Sequence, residues 1–176
     1  PGDTIELAPG SHWPSPGDLV IGASGTPEHW IRIRGSEACR SVLDLGRRGE
    51  LRIEGSYLAI ENLDIVKGVG NNLHIAPSGA DVSHVVVRGC TIRDLAAGPG
   101  AAIKINPNNA RGTGVRRLWI DGNDLSESIE NAVVDGVGAS EVVVRGNFIH
   151  DNNGSGVFFK GGSSSILIDG NVVARI

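Results

Sequence analysis

"AVVDGVGASEVVVRGN", residues 132–147, and "GVFFKGGSSSILIDGN", residues 156–171, share one outline 24 residues apart: an apolar cluster, a small-residue turn, a second apolar cluster, then Gly-Asn. Working outward, the tail of that outline recurs as "IENLDI" at 60–65, "VRGCTI" at 87–92, "IDGNDL" at 120–125, "VRGNFI" at 144–149 and "IDGNVV" at 168–173. The starts lie 27, 33, 24 and 24 residues apart. A period this short is one turn of a solenoid and has room for three strands but no helix. The last repeat shows their order: a first strand at Val157–Lys160, a second at Ile166–Ile168 and a third at Val172–Val173. The expected fold is all-β, a right-handed parallel β-helix of about six three-strand coils, with each coil pairing to the next at ~4.8 Å so that equivalent residues stack in columns.

Composition agrees. The chain has 176 residues, the size of a single domain spanning 1–176, and its 26 glycines, 4% aromatic content and lack of Met suit short strands joined by tight turns. A net charge of −4 offers no basic stripe, so no nucleic-acid partner is expected. No apolar run approaches the roughly 20 residues that span a bilayer, so no membrane partner is expected either, and the chain reads as a mature soluble segment. Cys39 and Cys90 lack metal-ligand spacing and are expected to be buried free thiols. Residues 51–176 form the regular coils. Residues 1–50 are less regular, with strands expected at Thr4–Leu7, Leu19–Ile21, Trp30–Arg34 and Val42–Leu45, and loops at "APGSHWPSPGD" and "GASGTPEH". Without an evident cap, the solenoid is expected to be a piece of a longer helix or to associate end to end.

Two columns stand out. Leu63, Cys90, Asn123, Asn147 and Asn171 share the bend between second and third strands, where stacked amides can form an asparagine ladder. Four residues further on come Lys67, Asp94, Glu127, Asp151 and Arg175. The three carboxylates Asp94, Glu127 and Asp151 on successive rungs offer hard oxygen ligands for calcium. The alternative is a row of solvated turn residues tied to Lys67 and Arg175.

Alternation along the first strands sends Lys160 and Phe158 outward, with Lys104 and His74 outward on earlier rungs and Asn106 beside them. Lys160 and Lys104 are the candidate bases, and His150 a candidate proton shuttle. His74, Asn106 and Phe158 are candidate substrate contacts. Asp135 pairs with inward Phe159 under strict 24-residue spacing, but a one-residue slip turns it outward as a further contact. Asp94 and Asp151, two coils apart, also suit the carboxylate spacing of an inverting glycoside hydrolase, roughly 6.5–9.5 Å.

The phrases "PGDTIELAPGSH", "IRIRGSE", "LRIEGSYLAIENLDI" and "KGGSSSILIDGN" resemble the extracellular bacterial β-helix proteins of the pectate lyase superfamily, above all polysaccharide lyase families 6 and 9, with alginate lyases, chondroitinase B and pectate lyases. The resemblance implies a secreted or periplasmic protein that cleaves an acidic polysaccharide by β-elimination, with calcium neutralising a uronate carboxylate. It implies that a lysine or arginine removes the C5 proton. Lys160 in "FFKGGSSS" matches the family 6 lysine, while the acidic ligands that precede it there have no counterpart in "NNGSGVFF". A glycoside hydrolase on the same groove and a non-catalytic carbohydrate-binding or structural β-helix are the alternatives.

Overall fold

A computed structural model describes residues 1–107, 114–128 and 132–176. Among these there is no helix. The chain begins in the second sheet and winds through six complete coils and two strands of a seventh. Coil one is β1 (Thr4–Leu7), β2 (Gly10–His12) and β3 (Leu19–Ile21), and coil two is β4 (Ile31–Gly35), β5 (Ser41–Asp44) and β6 (Leu51–Ile53). Coil three is β7 (Leu58–Glu61), β8 (Asp64–Val66) and β9 (Leu73–Ile75), and coil four is β10 (Val82–Arg88), β11 (Thr91–Arg93) and β12 (Ile103–Ile105). Coil five is β13 (Val115–Asp121), β14 (Asp124–Ser126) and β15 (Val134–Val137). Coil six is β16 (Ala139–Arg145), β17 (Phe148–His150) and β18 (Val157–Lys160), followed by β19 (Ser164–Asp169) and β20 (Val172–Ala174).

Three parallel sheets result: a first of β3, β6, β9, β12, β15 and β18; a second running from β1 to β19; and a third running from β2 to β20. Their inward columns fill the core with fully buried Leu51, Ile53, Leu58, Ile60, Leu73, Ile75, Ile103 and Ile105. Burying each such side chain contributes about 1.5–3 kcal/mol before the entropy of ordering the chain is charged against it. Strand β2 lies inside the stretch that reads as a loop, and it pairs with β5 through Gly10↔Ser41 and His12↔Leu43. Cys90 is buried as expected, whereas Cys39, in the turn before β5, is exposed; both are free thiols.

The ladder repeats one bond. Each member donates to the carbonyl three residues before its counterpart one coil back: Asn171 to Val144, Asn147 to Ile120 and Asn123 to Val87, at 2.8, 2.9 and 3.0 Å. The Cys90 thiol makes the same contact to Ile60 at 3.6 Å, and the Ser41 hydroxyl to Leu7 at 2.9 Å. Asn147 and Asn171 also accept, each taking the backbone N–H of the preceding rung at 2.9 Å. Burial pushes the Cys90 thiol up to about 12, so it stays protonated and serves as a donor.

Opposite the core, the second sheet carries a row of alternating charge: Glu6, Arg34, Glu61, Arg88, Asp121, Arg145 and Asp169 stand side by side on seven successive strands. Arg34 meets Glu6 at 2.8 Å, Arg145 meets Asp121 at 3.1 Å, and Arg88 meets Glu61. A one-residue slip would lose these pairs and turn the apolar columns outward together, so charge and burial enforce one register.

Candidate functional site

The outward column of the first sheet runs Val20, Arg52, His74, Lys104, Asp135 and Phe158 from β3 to β18. Asp135 therefore pairs with Phe158, and the strict 24-residue pairing with Phe159 is corrected by one position. The cause is a turn. Single Gly138 (φ 58°) joins β15 to β16, whereas Gly161 (φ 60°) and Gly162 (φ 83°) both stand between β18 and Ser163, one residue more at the same corner. The Phe159 ring then lies where a Gly136 side chain would be, since a Cβ there would sit 2.2 Å from it.

Asp135 points outward yet is fully buried. Lys104 from the rung before donates to its Oδ2, and Lys160, two residues beyond Phe158, lies 3.7 Å from Oδ1. That second contact is ionic, because Oδ1 has no hydrogen-bond partner among the described residues. Two ammonium groups share one carboxylate, so these three side chains keep a surplus positive charge, while Arg52 with Glu50 and Glu54 leaves a surplus negative one at the earlier end of the row. The lysines differ in freedom. Lys104 is only 17% exposed, while Lys160 is 45% exposed and rests over the Phe158 ring, 4.9 Å from its centroid. Asn106 follows β12 directly, with its backbone N–H bonded to Ile75 O at 3.1 Å.

On the other side of Lys104, the His74 Nδ1 meets Glu50 Oε1 at 2.6 Å, while its buried Nε2 has no partner among the described residues. Burial works against the charged form of Glu50, but His74, Asn71 (2.8 Å to Oε2) and Arg52 outweigh it and lower its pKa. Arg52 also donates to Glu54 at 3.3 Å. Sequence reasoning missed Glu50 and Arg52. The signal was present in "ELRIE", whose alternation puts Arg52 in the His74 column one coil earlier.

His150 is not part of this row. It lies on β17 in the third sheet, stacked on Phe148 at 4.1 Å, with Nδ1 at 2.6 Å from Asp151 and Nε2 at 2.8 Å from Asp124. Burial works to lower its pKa, but these two carboxylates overcome it and raise it. Its ring nitrogens are therefore engaged away from the lysines.

Asp94, Glu127 and Asp151 do stack as a column, all three with left-handed backbone. Two of the three carboxylates are engaged within the chain. The Arg175 guanidinium grips Asp151 and, with His150, holds its carboxyl well below the usual range. Glu127 accepts the Asp94 backbone N–H at 2.9 Å. Among the described residues no three His, Cys, Asp or Glu side chains converge to hold a metal ion. Lys67, expected to serve this column, pairs instead with Asp44 at 2.7 Å.

No protein-family model and no curated protein matches the chain. Among solved structures it is similar to pectate lyase Pel9A, at 14% identity and a TM-score of 0.63 over 98% of this chain and 54% of that one. An alginate lyase from Paenibacillus sp. str. FPU-7 gives 17% identity and a TM-score of 0.45 over 100% of this chain and 92% of that one. A rhamnogalacturonan lyase gives 15% and 0.43, over 98% and 59%. The first of these fixes the architecture: the chain is a pectate-lyase-like parallel β-helix that spans 54% of the length of Pel9A.

Proposed function

We propose that the outward row of the first sheet binds an acidic polysaccharide and that Lys160 is its reactive group. The observation that carries this reading is the buried Asp135 carboxylate shared by Lys104 and Lys160, which leaves one unbalanced positive charge on the half-exposed Lys160. A polymer bearing carboxylates supplies the missing anion. Phe158, 45% exposed, gives an apolar surface for a sugar face beside it. Such a protein would work outside the cell or in the periplasm, where these polymers lie.

In a β-elimination, a neutral amine takes the proton from C5 of a uronate, the freed electron pair forms the C4–C5 double bond, and the C4–O bond breaks with a solvent proton going to the leaving oxygen. Lys160 is the amine able to turn toward such a proton, because its hold on Asp135 is long and its side chain is half exposed. Lys104 is committed to Asp135 and would orient the cluster. His74, fixed through Nδ1 by Glu50, would contact the polymer from an earlier rung. Non-catalytic binding is the second reading. It is favoured by Asp135 itself, a permanent counter-charge that suits a binding ammonium better than a base. Hydrolysis has less support, since Asp151 is engaged by Arg175 and His150.

Incubation with pectate, alginate and chondroitin sulfate, monitored by absorbance of the unsaturated uronate product, tests the reaction with and without added calcium. Turnover that falls by 100-fold or more in both Lys160→Ala and Lys160→Arg supports the base. Product-free binding that Ala abolishes and Arg keeps supports the second reading. Parent and Lys160→Ala binding all three polymers equally, with no product, would remove both.

A further inference from the structure

A concave site lies at the corner where the third sheet hands over to the first, in coils one to three. It is a cavity of about 640 Å³ whose lining includes Trp13, Pro14, Asp44, Arg47, Arg48 and Lys67. Trp13 is 70% exposed, which leaves much of a large ring in water. It lines the pocket beside Asp44, which accepts from Lys67 Nζ at 2.7 Å and from the Gly46 N–H at 2.9 Å. Burial disfavours the Asp44 carboxylate, yet these donors prevail and lower its pKa. The ring lines the pocket with most of its surface open.

The charges in the pocket do not balance. Lys67 and Asp44 neutralise each other, but Arg47 and Arg48 are exposed and neither guanidinium meets a carboxylate among the described residues. Their backbone is fixed: the Arg47 N–H donates to Lys67 O at 2.9 Å and the Arg48 N–H to Leu45 O at 3.2 Å. Two free guanidinium groups therefore stand beside an open indole. Guanidinium forks match carboxylates and sulfates, and an exposed indole face takes the C–H face of a sugar ring.

We propose that this corner pocket binds an anionic sugar unit, with the ring on Trp13 and its carboxylate or sulfate on Arg47 and Arg48. The inference rests on the reading that the chain handles an acidic polysaccharide. It adds a holding site four to five coils, ~19–24 Å along the axis, from the Lys160 rung. A polymer lying along the helix could occupy both.

Calorimetric titration of the intact chain tests this with three probes: a galacturonate hexamer, its fully methyl-esterified and hence neutral form, and a sulfated galactose oligomer without carboxylates. The heteronuclear spectrum of the indole N–H groups is followed alongside. At least one anionic probe is expected to bind, to shift the Trp13 indole signal and not those of Trp30 and Trp119, and to exceed the neutral form in affinity by at least tenfold. The tighter of the two names the anion. Trp13→Ala and the double change Arg47→Gln, Arg48→Gln should each weaken binding at least tenfold, while Lys160→Ala leaves the Trp13 shift intact. Loss of binding in Lys160→Ala alone would overturn the corner site and spare the groove. Equal affinity for neutral and anionic hexamers, unchanged affinity in the corner variants, or no binding by the parent would each overturn it.

Discussion

Asp135 is the residue on which the first-sheet row depends, because a carboxylate out of water is costly unless it is paired. Its two lysines do not share the task equally. Lys104 hydrogen-bonds Oδ2 and is 17% exposed, whereas Lys160 offers Oδ1 only a 3.7 Å contact from a half-exposed position. Removing Lys104 leaves a buried charge with its weaker partner. Lys104→Met is therefore expected to destabilise the chain by about 3–5 kcal/mol. Lys160→Ala is expected to cost about 1 kcal/mol or less, as for an exposed ion pair. Chemical denaturation of both variants checks this. Equal losses would mean that the two lysines hold Asp135 alike and that Lys160 is not free to serve a substrate.

Among the elements, the bend between second and third sheets shows what a column does that a single residue cannot. Asn147 donates to Ile120 O and Asn171 Oδ1, and its own Oδ1 takes both the backbone and side-chain N–H of Asn123. Asn147→Leu strands several of these groups inside the solenoid, at about 1–3 kcal/mol for each one left unsatisfied. Asn171→Leu, on the last rung and only partly buried, removes fewer partners and should cost less. A denaturant titration that ranks Asn171→Leu as the more damaging would contradict the ladder. This much was legible in the sequence, because the Gly-Asn phrase recurs at a fixed spacing and spacing is what a stacked column preserves. The Ser41 and Cys90 members were harder to see, since only their bonds, not their residue type, continue the series. The phase of Asp135 hung on one extra glycine at a corner, and β2 on three residues of no distinct pattern. Left-handed backbone at Tyr57, His84, Arg117, Glu141 and Ser165 left no trace, because that conformation is usually signalled by Gly or Asn. The site residues that were found share one strand phase. Of those that were missed, Glu50 and Trp13 reach their partners from corners, where period-two alternation no longer applies, whereas Arg52 shares the strand phase of the residues that were found.

Over the whole molecule, the second sheet's charged row sets a condition on how copies can meet. At one end Ile5 is 55% exposed and Leu7, Leu19 and Ile21 are only partly covered; at the other Leu167, Ile168, Val172 and Val173 are 53–60% exposed. If a chain of residues 1–176 stacks head to tail through these surfaces, the contact is heterologous, does not close and would grow as a filament. Continuing the second sheet from β19 of one copy into β1 of the next, in the register that the sheet keeps within the chain, would set Asp169 beside Glu6, ~4.8 Å apart. The row alternates at every internal step and would fail only there, with two carboxylates side by side, an arrangement that opposes pairing. Asp169→Lys sets opposite charges across the junction and moves the like-charged step inside the chain, beside Arg145. It is expected to raise the average mass measured by light scattering at a given concentration, and Glu6→Lys should do the same from the other end. Added salt should then increase association of the parent, where it screens repulsion, and decrease that of either variant, where it screens attraction. A parent and variants whose masses follow the same dependence on concentration and salt would show that the apolar ends, or other contacts, govern stacking without regard to this row.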